Sequence, residues 1–362
     1  MSAPLTAVVL GAGDMGARHA RHWAAVGARV LAVVDPDMDR ARAAAAETGA
    51  TALAEADEAL ALGPDVVSVC TPTYLHARLT IAAFAAGAHV LCEKPIALTL
   101  GDARAMEAAA AAGRELRIGF MRRFDPAFPQ LIEVAARVGR PLLAQATITA
   151  GIRPKRLMHD ALANGGPIID MCCHLFHLWG TVFESQPDEV AARGYTFSDG
   201  KPEVAHIRHR ALDSALITLA YPNGSVGQVQ VSWGLPSGVD PVERHTYVGP
   251  DGLVTVDWPG RITLRDGEGE TRWTNPGDDP YRGQIAQFHA ELTQGATRAV
   301  ASVQDGIDTL RTSLAVLRSV ATRGPVALAD VTEDRDDDPA FAGLGDLDAP
   351  DAGAGPLLEA MP

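Results

Sequence analysis

The chain has 362 residues, 47% of them apolar and 5% aromatic, and carries a formal net charge of −14. That length exceeds what one compact core holds and points to about two domains, while an alanine-rich, aromatic-poor composition favours helix-rich α/β packing over an all-β sandwich. The acidic balance argues against grip on a phosphate backbone, so no nucleic-acid partner is expected.

No apolar run reaches spanning length and no basic patch precedes the first apolar stretch, so the reading is a cytoplasmic protein with neither membrane helix nor signal peptide. The cysteines, Cys70, Cys92, Cys172 and Cys173, lack the paired spacing of a zinc or disulfide framework and read as reduced thiols.

In chain order, short apolar strands are predicted at Ala7–Leu10, Val30–Val34, Val66–Cys70, Val90–Cys92 and Leu116–Gly119, with alanine-rich helices between them. The first helix carries Met15, His19, Trp23 and Val26 on one stripe, and other helices close at Gly49, Gly87 and Gly113. Repeated strand, helix, strand implies a parallel sheet whose ligands bind at the carboxyl ends of the strands. Gly11-Ala12-Gly13-Asp14-Met15-Gly16 lies between the first strand and the first helix, the context in which this pattern has meaning. There Gly11 allows the tight turn, Gly13 lets a pyrophosphate approach the backbone, and Gly16 lets helix and strand pack closely, while free N–H groups at Asp14 and Met15 attract phosphate. Asp35, ending the second strand, is spaced to hold a ribose diol and to repel a 2′-phosphate. Pro36, Asp37 and Met38 offer no compensating cation, although Arg40 lies within swinging reach, so NAD is expected over NADP.

Thr71 and Pro72 end the Val66 strand at the same edge and, with the following His76 and with Glu93 and Lys94 of Glu93-Lys94-Pro95, are assigned to the cofactor. His19 and His76 sit on an apolar stripe or at a helix beginning, where a structural part is the plainer reading than a catalytic one. Lys94 follows an apolar strand and precedes a proline, a position that solubility does not explain.

The rhythm changes near Gly119 to Pro126, which places a Rossmann-type dinucleotide-binding domain at residues 1–121 and a substrate-binding and oligomerisation α/β domain at 122–330. Residues 331–362 form an acidic tail of low periodicity, with disorder expected. Within the second domain, Ala215–Tyr221 and Ser225–Trp233 alternate across Asn223-Gly224, and Pro250-Asp251-Gly252 turns into Leu253–Trp258, so antiparallel hairpins are predicted. Helices at Tyr281–Thr293 and Ser302–Thr322 follow, assigned to one side of that sheet with the other side left for a partner subunit.

Asp170 and His174 are four residues apart after Gly165-Gly166 and are expected to share a helical face. Oxidising an alcohol carbon requires losing its hydroxyl proton as well as hydride, and imidazole suits that proton. His174 is assigned as general base, Lys94 as donor to the developing alkoxide, and Asp170 as the group orienting the base or a neighbouring hydroxyl. The pattern is equally served with Lys94 and His174 exchanged. Candidate substrate contacts are Arg122, Arg123, Arg153, His159 and His177. Asp170, His174 and His177 also fall along one helical face as a metal would require, but no second cluster adds ligands, so no metal is expected.

These residues together, Gly11 to Gly16, Asp35, Thr71-Pro72 with His76, Glu93-Lys94-Pro95, and Asp170 four before His174, resemble the glucose-fructose oxidoreductase, inositol dehydrogenase and rhizopine catabolism family (Gfo/Idh/MocA) over about Leu5 to Leu328. The resemblance implies a Rossmann domain followed by an α/β domain on an open, largely antiparallel sheet that makes a homodimer or homotetramer contact. It implies an NAD(P)-dependent oxidoreductase acting on a secondary hydroxyl of a cyclic polyol, sugar or sugar derivative, with Lys94, Asp170 and His174 in the catalytic parts. The same scaffold includes glycosidases that retain NAD, and a noncatalytic sensor that keeps the nucleotide site is a third possibility. Inositol dehydrogenases of the family carry a His and an Asn after the equivalent of the strand preceding Gly151-Ile152-Arg153-Pro154, which has neither. That counts against myo-inositol, and the extra basic side chains leave room for an acidic or phosphorylated sugar.

Overall fold

The strand and helix alternation of the first third folds into a parallel sheet. In the computed structural model, which describes residues 3–110, 113–258, 260–275 and 278–332, its strands are β1 (Thr6–Leu10), β2 (Arg29–Val34), β3 (Thr51–Leu53), β4 (Val66–Val69), β5 (His89–Cys92) and β6 (Leu116–Ile118). Their spatial order is β3-β2-β1-β4-β5-β6, so the winding reverses between β1 and β4 and opens a crevice at their carboxyl ends. Helices α1 (Asp14–Ala25), α2 (Met38–Ala46), α3 (Ala56–Leu60), α4 (His76–Ala85) and α5 (Leu100–Ala109) make the crossovers. Strands covered on both faces are largely apolar, which is why β1 and β4 read as Val-rich runs, the buried Ser68 of β4 being matched by the Trp23 indole. The strand β3 was not anticipated: it is three residues long and only partly buried.

The second half begins with α6 (Ala127–Ala136) and β7 (Leu143–Gly151), then α7 (Gly166–Asp170), α8 (Cys172–Phe183), β8 (Glu189–Tyr195), β9 (Ser214–Ala220), β10 (Val226–Leu235), β11 (Val242–Gly249), β12 (Gly252–Asp257), β13 (Arg261–Asp266) and β14 (Gly269–Thr274). It closes with α9 (Pro280–Gln294), α10 (Val303–Thr322) and β15 (Val326–Ala327). The nine strands lie in the order β14-β13-β12-β11-β7-β10-β9-β8-β15. Neighbours run antiparallel except β7 and β10, which pair in parallel. The Asn223-Gly224 turn joins β9 to β10 and Pro250-Asp251 joins β11 to β12, as the turn residues predict. Val229, Val231 and Trp233 of β10 point inward to the core while Gln228 and Gln230 face out. The fold is thus α/β, a doubly wound parallel sheet followed by a largely antiparallel open one.

One assignment is corrected. The sequence pattern gives both last helices to the second sheet, and α10 does reach it: the Ala192 amide of β8 donates to Ser319 Oγ at 2.8 Å. Helix α9 instead lies on the first sheet's helical layer. Ile285 and Phe288 join the core around Val9, Ala20, Trp23 and Val33, with the Phe288 ring 6.3 Å from that of Trp23. An amphipathic stripe specifies that a face is buried but not against which partner. A cut at residue 121 therefore separates the two sheets but leaves α9 on the far side of it. Val331, where the acidic tail was expected to start, is buried, and the tail from 333 onward lies outside the described residues. All four cysteines are free. No helix among the described residues is long and apolar enough to cross a membrane.

Candidate active site

The glycine-rich turn shows a separate physical reason for each glycine. Gly11 has φ +95° and a Cβ there would lie 2.6 Å from Cys70 O, while a Cβ on Gly16 would lie 1.7 Å from Gly11 O. Gly13 differs: a Cβ would meet no protein atom within 4 Å, so the fold itself leaves the space beside it open. The helix α1 starts on Gly13 without a side-chain cap, leaving its first N–H groups directed into that space. Asp35 is buried and its Oδ2 accepts from the Ala12 amide at 2.8 Å, locking the carboxylate to the turn. Arg40, the cation that had to swing in for a 2′-phosphate, is engaged by Asp37 at 3.1 Å. Thr71 Oγ1, on the opposite lip, is buried with no partner. These residues fit NAD.

His76 sits under that lip, its Nδ1 2.8 Å from Pro95 O and its Nε2 2.9 Å from Thr71 O. Burial lowers its pKa, and a neutral ring carries one N–H, so it donates to only one of these carbonyls at a time while packed between the Thr71-Pro72 and Lys94-Pro95 segments. Glu93 is held similarly from below. The Trp23 indole donates to Ser68 Oγ at 2.8 Å, Ser68 Oγ lies 3.1 Å from His19 Nδ1, and His19 Nε2 lies 3.1 Å from Glu93 Oε1.

Lys94 meets Asp170 across the two halves, its Nζ donating to Oδ1 at 2.7 Å and to the Asp170 carbonyl at 3.0 Å. Burial disfavours the ammonium, but the Asp170 carboxylate outweighs it and holds Lys94 above the ordinary lysine range. His174 is perturbed the other way. Burial, then the Lys94 and Arg122 charges, hold it well below the usual imidazole range, so it is neutral near pH 7. The expected Asp170 and His174 pairing is corrected: the chain bends at Met171 between α7 and α8, and Asp170 is bonded to Lys94 instead. Asp170 Oδ2 and His174 Nδ1 are both buried without a partner. Such atoms are few in folded proteins and each costs about 1–3 kcal/mol, which a ligand hydroxyl would recover.

The basic candidates are distributed differently. Arg122 is half-buried against Glu243, with Nη2 2.9 Å from Oε2, and lies over the Trp258 ring. Burial acts to raise Glu243, but the neighbouring His245 and Arg122 override it and hold that carboxyl at about 2. Arg123 faces Asp305 at 3.8 Å. His177 stacks flat on Phe120 at 4.5 Å between centroids, and burial pushes its pKa down to about 4. Phe120 also meets the His174 ring edge-on at 5.9 Å. Arg153 and His159 stand at the end of β7 against Trp233. Among the described residues no group of three or more His, Cys, Asp or Glu could hold a metal ion.

Tyr281 was missed. Its ring carries the Arg18 guanidinium 4.9 Å away, and burial followed by the Glu93 charge pushes the phenol up, with Lys94 and Arg122 also acting on it. The available signal was spacing, since Tyr281 precedes Ile285 and Phe288 on one stripe. Also missed was the bridge from Lys155 to Asp14 at 2.9 Å, which brings the 152–165 segment onto the glycine turn. The same segment touches the other lip, where the Thr73 amide donates to Asn164 Oδ1 at 3.3 Å.

Residues 5–120 match the family described as an oxidoreductase family with an NAD-binding Rossmann fold, and residues 130–252 match the GFO/IDH/MocA C-terminal domain. The chain is 31% identical over 320 residues to 1,5-anhydro-D-fructose reductase from Ensifer adhaerens, covering 84% of this chain and 93% of that protein. It is 31% identical over 334 residues to myo-inositol dehydrogenase Hyg17 from Streptomyces leeuwenhoekii, covering 90% and 100%. The solved structure of GenD2 from gentamicin A biosynthesis in complex with NAD aligns with a TM-score of 0.77 at 25% identity, covering 90% of this chain and 97% of that one.

Proposed function

Because the chain belongs to the Gfo/Idh/MocA family of NAD-dependent oxidoreductases, we propose that it transfers hydride between nicotinamide and a secondary hydroxyl or ketone of a sugar or cyclic polyol, with His174 as proton acceptor and Lys94 as the cation at the substrate oxygen. The observation that carries this reading is geometric: Lys94 is bonded to the Asp170 carboxylate, which favours its charged form, while His174 Nδ1 is buried with no partner and burial disfavours its charged form. An alcohol losing hydride must also lose its hydroxyl proton, and of these two groups only the unprotonated imidazole has a free lone pair to accept it. Lys94 is charged and therefore serves the developing oxyanion as a preorganised donor. Asp170 keeps it so through the 2.7 Å bond. A dinucleotide held by its pyrophosphate at the glycine turn would supply the hydride acceptor. Tyr281, a neutral phenol beside Glu93 and Lys94, bounds the same cleft. The names of the two curated relatives, an anhydrofructose reductase and an inositol dehydrogenase, support a sugar or polyol substrate.

The test is NADH formation from NAD across inositols, aldoses, uronic acids and amino sugars. Lys94→Met and His174→Gln are each expected to lower kcat about 10²- to 10⁴-fold, with NAD still bound. Release of a leaving group from an aryl glycoside without net NADH would replace the reading by a glycosidase, and a Lys94→Ala protein with full biological activity would replace it by a sensor. Assembly as a homodimer or homotetramer through the uncovered face of the nine-stranded sheet belongs to the same reading. Light scattering that gives a monomer removes that part.

A further inference from the structure

The positive charges around the cleft are not equally matched. Lys94 is paired with Asp170, Arg122 with Glu243, Arg123 with Asp305 and Lys155 with Asp14. Arg153 has no carboxylate partner among the described residues. Its guanidinium lies over the Trp233 ring at 5.5 Å, and its Nε is buried with no hydrogen-bond acceptor. A cation on an aromatic face is stabilised from one side only. The buried N–H remains unanswered.

His159 makes the same point independently. The Arg153 backbone N–H donates to His159 Nε2 at 2.9 Å, so Nε2 is the acceptor nitrogen and the ring proton resides on Nδ1. That Nδ1–H is buried and unpartnered, in a residue only 2% exposed. Asp213, the acid that acts on His159, accepts from the Phe197 and Ser198 amides at 2.8 and 2.9 Å and from Ser214 Oγ at 2.8 Å, and makes no hydrogen bond to His159 Nδ1. Two buried donors, one of them cationic, thus stand against the Trp233 ring with no protein acceptor.

The location ties this cluster to the cleft. Trp233 of β10 and Glu243 of β11 lie on the covered face of the sheet on either side of β7, where Glu243 is registered with Ile148 and Ser232 with Thr149. Two strand spacings, about 10 Å, separate the Arg153 cluster from the Arg122–Glu243 pair. The segment that starts at Arg153 continues through Lys155 on Asp14 and Asn164 on Thr73 to Asp170, the partner of Lys94.

We propose that Arg153 and His159 form an anion subsite, and that the substrate is a sugar acid whose carboxylate they bind while Lys94 and His174 act on one of its hydroxyls. This rests on the oxidoreductase reading above and adds the substrate class to it. One uncompensated guanidinium and one neutral N–H match a monoanion. The carboxylate is a spectator: the reacting carbon passes from CH–OH to C=O as NAD becomes NADH, and the hydroxyl proton leaves through His174.

The experiment compares kcat/KM with NAD for glucuronate against glucose, gluconate against glucitol, and glucose 6-phosphate as the dianion. Each acid is expected to exceed its neutral counterpart about 10- to 150-fold, the range of a charge-assisted hydrogen bond. In Arg153→Met that ratio falls toward one, whereas Arg153→Lys, which keeps charge but loses the planar fork, retains part of it. NADH fluorescence on binding checks that each variant is folded. Should Arg153→Met not fold, the Lys variant and the wild-type ratio decide the matter. Turnover confined to neutral sugars, or an acid-to-neutral ratio unmoved by Arg153→Met, overturns the subsite. Preference for the phosphate overturns the carboxylate. No NADH from any compound overturns the underlying oxidoreductase reading, and this one with it.

Discussion

Gly13 and Gly16 sit three residues apart in one turn, yet the same added methyl group is predicted to act on them in opposite ways. Gly13 has φ −68° and ψ −173°, which alanine adopts without strain, and its Cβ would meet nothing within 4 Å. Gly13→Ala is expected to fold with unchanged or slightly greater stability, by up to about 1 kcal/mol, because the unfolded chain loses freedom. The methyl then occupies space meant for the cofactor's phosphates. An overlap of that size costs about 1–3 kcal/mol, so the Kd for NAD should rise roughly 5- to 150-fold. In Gly16→Ala the Cβ would stand 1.7 Å from Gly11 O, a backbone atom that no rotamer change can move away. That variant should lose more than the roughly 3 kcal/mol of ordinary overpacking, as α1 is forced off β1. Urea denaturation gives the stabilities and NADH fluorescence the affinities. A Gly13→Ala protein binding NAD within about twofold of wild type, or a Gly16→Ala protein of undiminished stability, would refute the division of labour.

Acid should destabilise the fold through its histidines. His76, His159, His174, His177 and His245 all have pKa values lowered chiefly by burial. Above about pH 6.5 both states hold them neutral; below it the unfolded chain takes up protons that the fold refuses, so each removes up to about 1.4 kcal/mol per pH unit. For His177 the loss ends near its folded value of about 4. Melting temperature should fall from about pH 7.5 to about pH 5.5, and a flat profile would contradict this. Asp35→Ala should weaken NAD binding at least about tenfold and narrow the preference over NADP, measured as the ratio of the two dissociation constants; an unchanged ratio counts against the diol contact. Arg122→Met leaves the half-buried Glu243 without its guanidinium and should cost about 1–3 kcal/mol in denaturant titrations. Replacing both by apolar residues should restore much of that loss, and a double variant no more stable than the single one argues against the pair.

What the sequence disclosed depended on how local the determinant is. Gly11, Gly13, Gly16 and Asp35 were legible because a strand, a turn and a helix start fix their geometry within a few residues. Lys94, Asp170 and His174 were legible as reactive types, but not the bend at Met171 that gives Asp170 to Lys94, since helical spacing assumes an unbroken helix. The extra basic residues were visible, whereas their acids were not: Glu243 lies 121 positions from Arg122, and nothing in either segment names the other. The stripe of α9 indicated burial without naming its partner, for the same reason.

That last helix has a consequence for how the chain is made. When the ribosome has released the six strands of the parallel sheet, the surface around Trp23 still lacks Ile285 and Phe288 from α9, and β6 still lacks the Ile118 amide bond to Ala301 O at 2.9 Å. The nucleotide-binding half is therefore finished only by a segment translated after nearly all of the other half, so its maturation waits for almost the whole polypeptide.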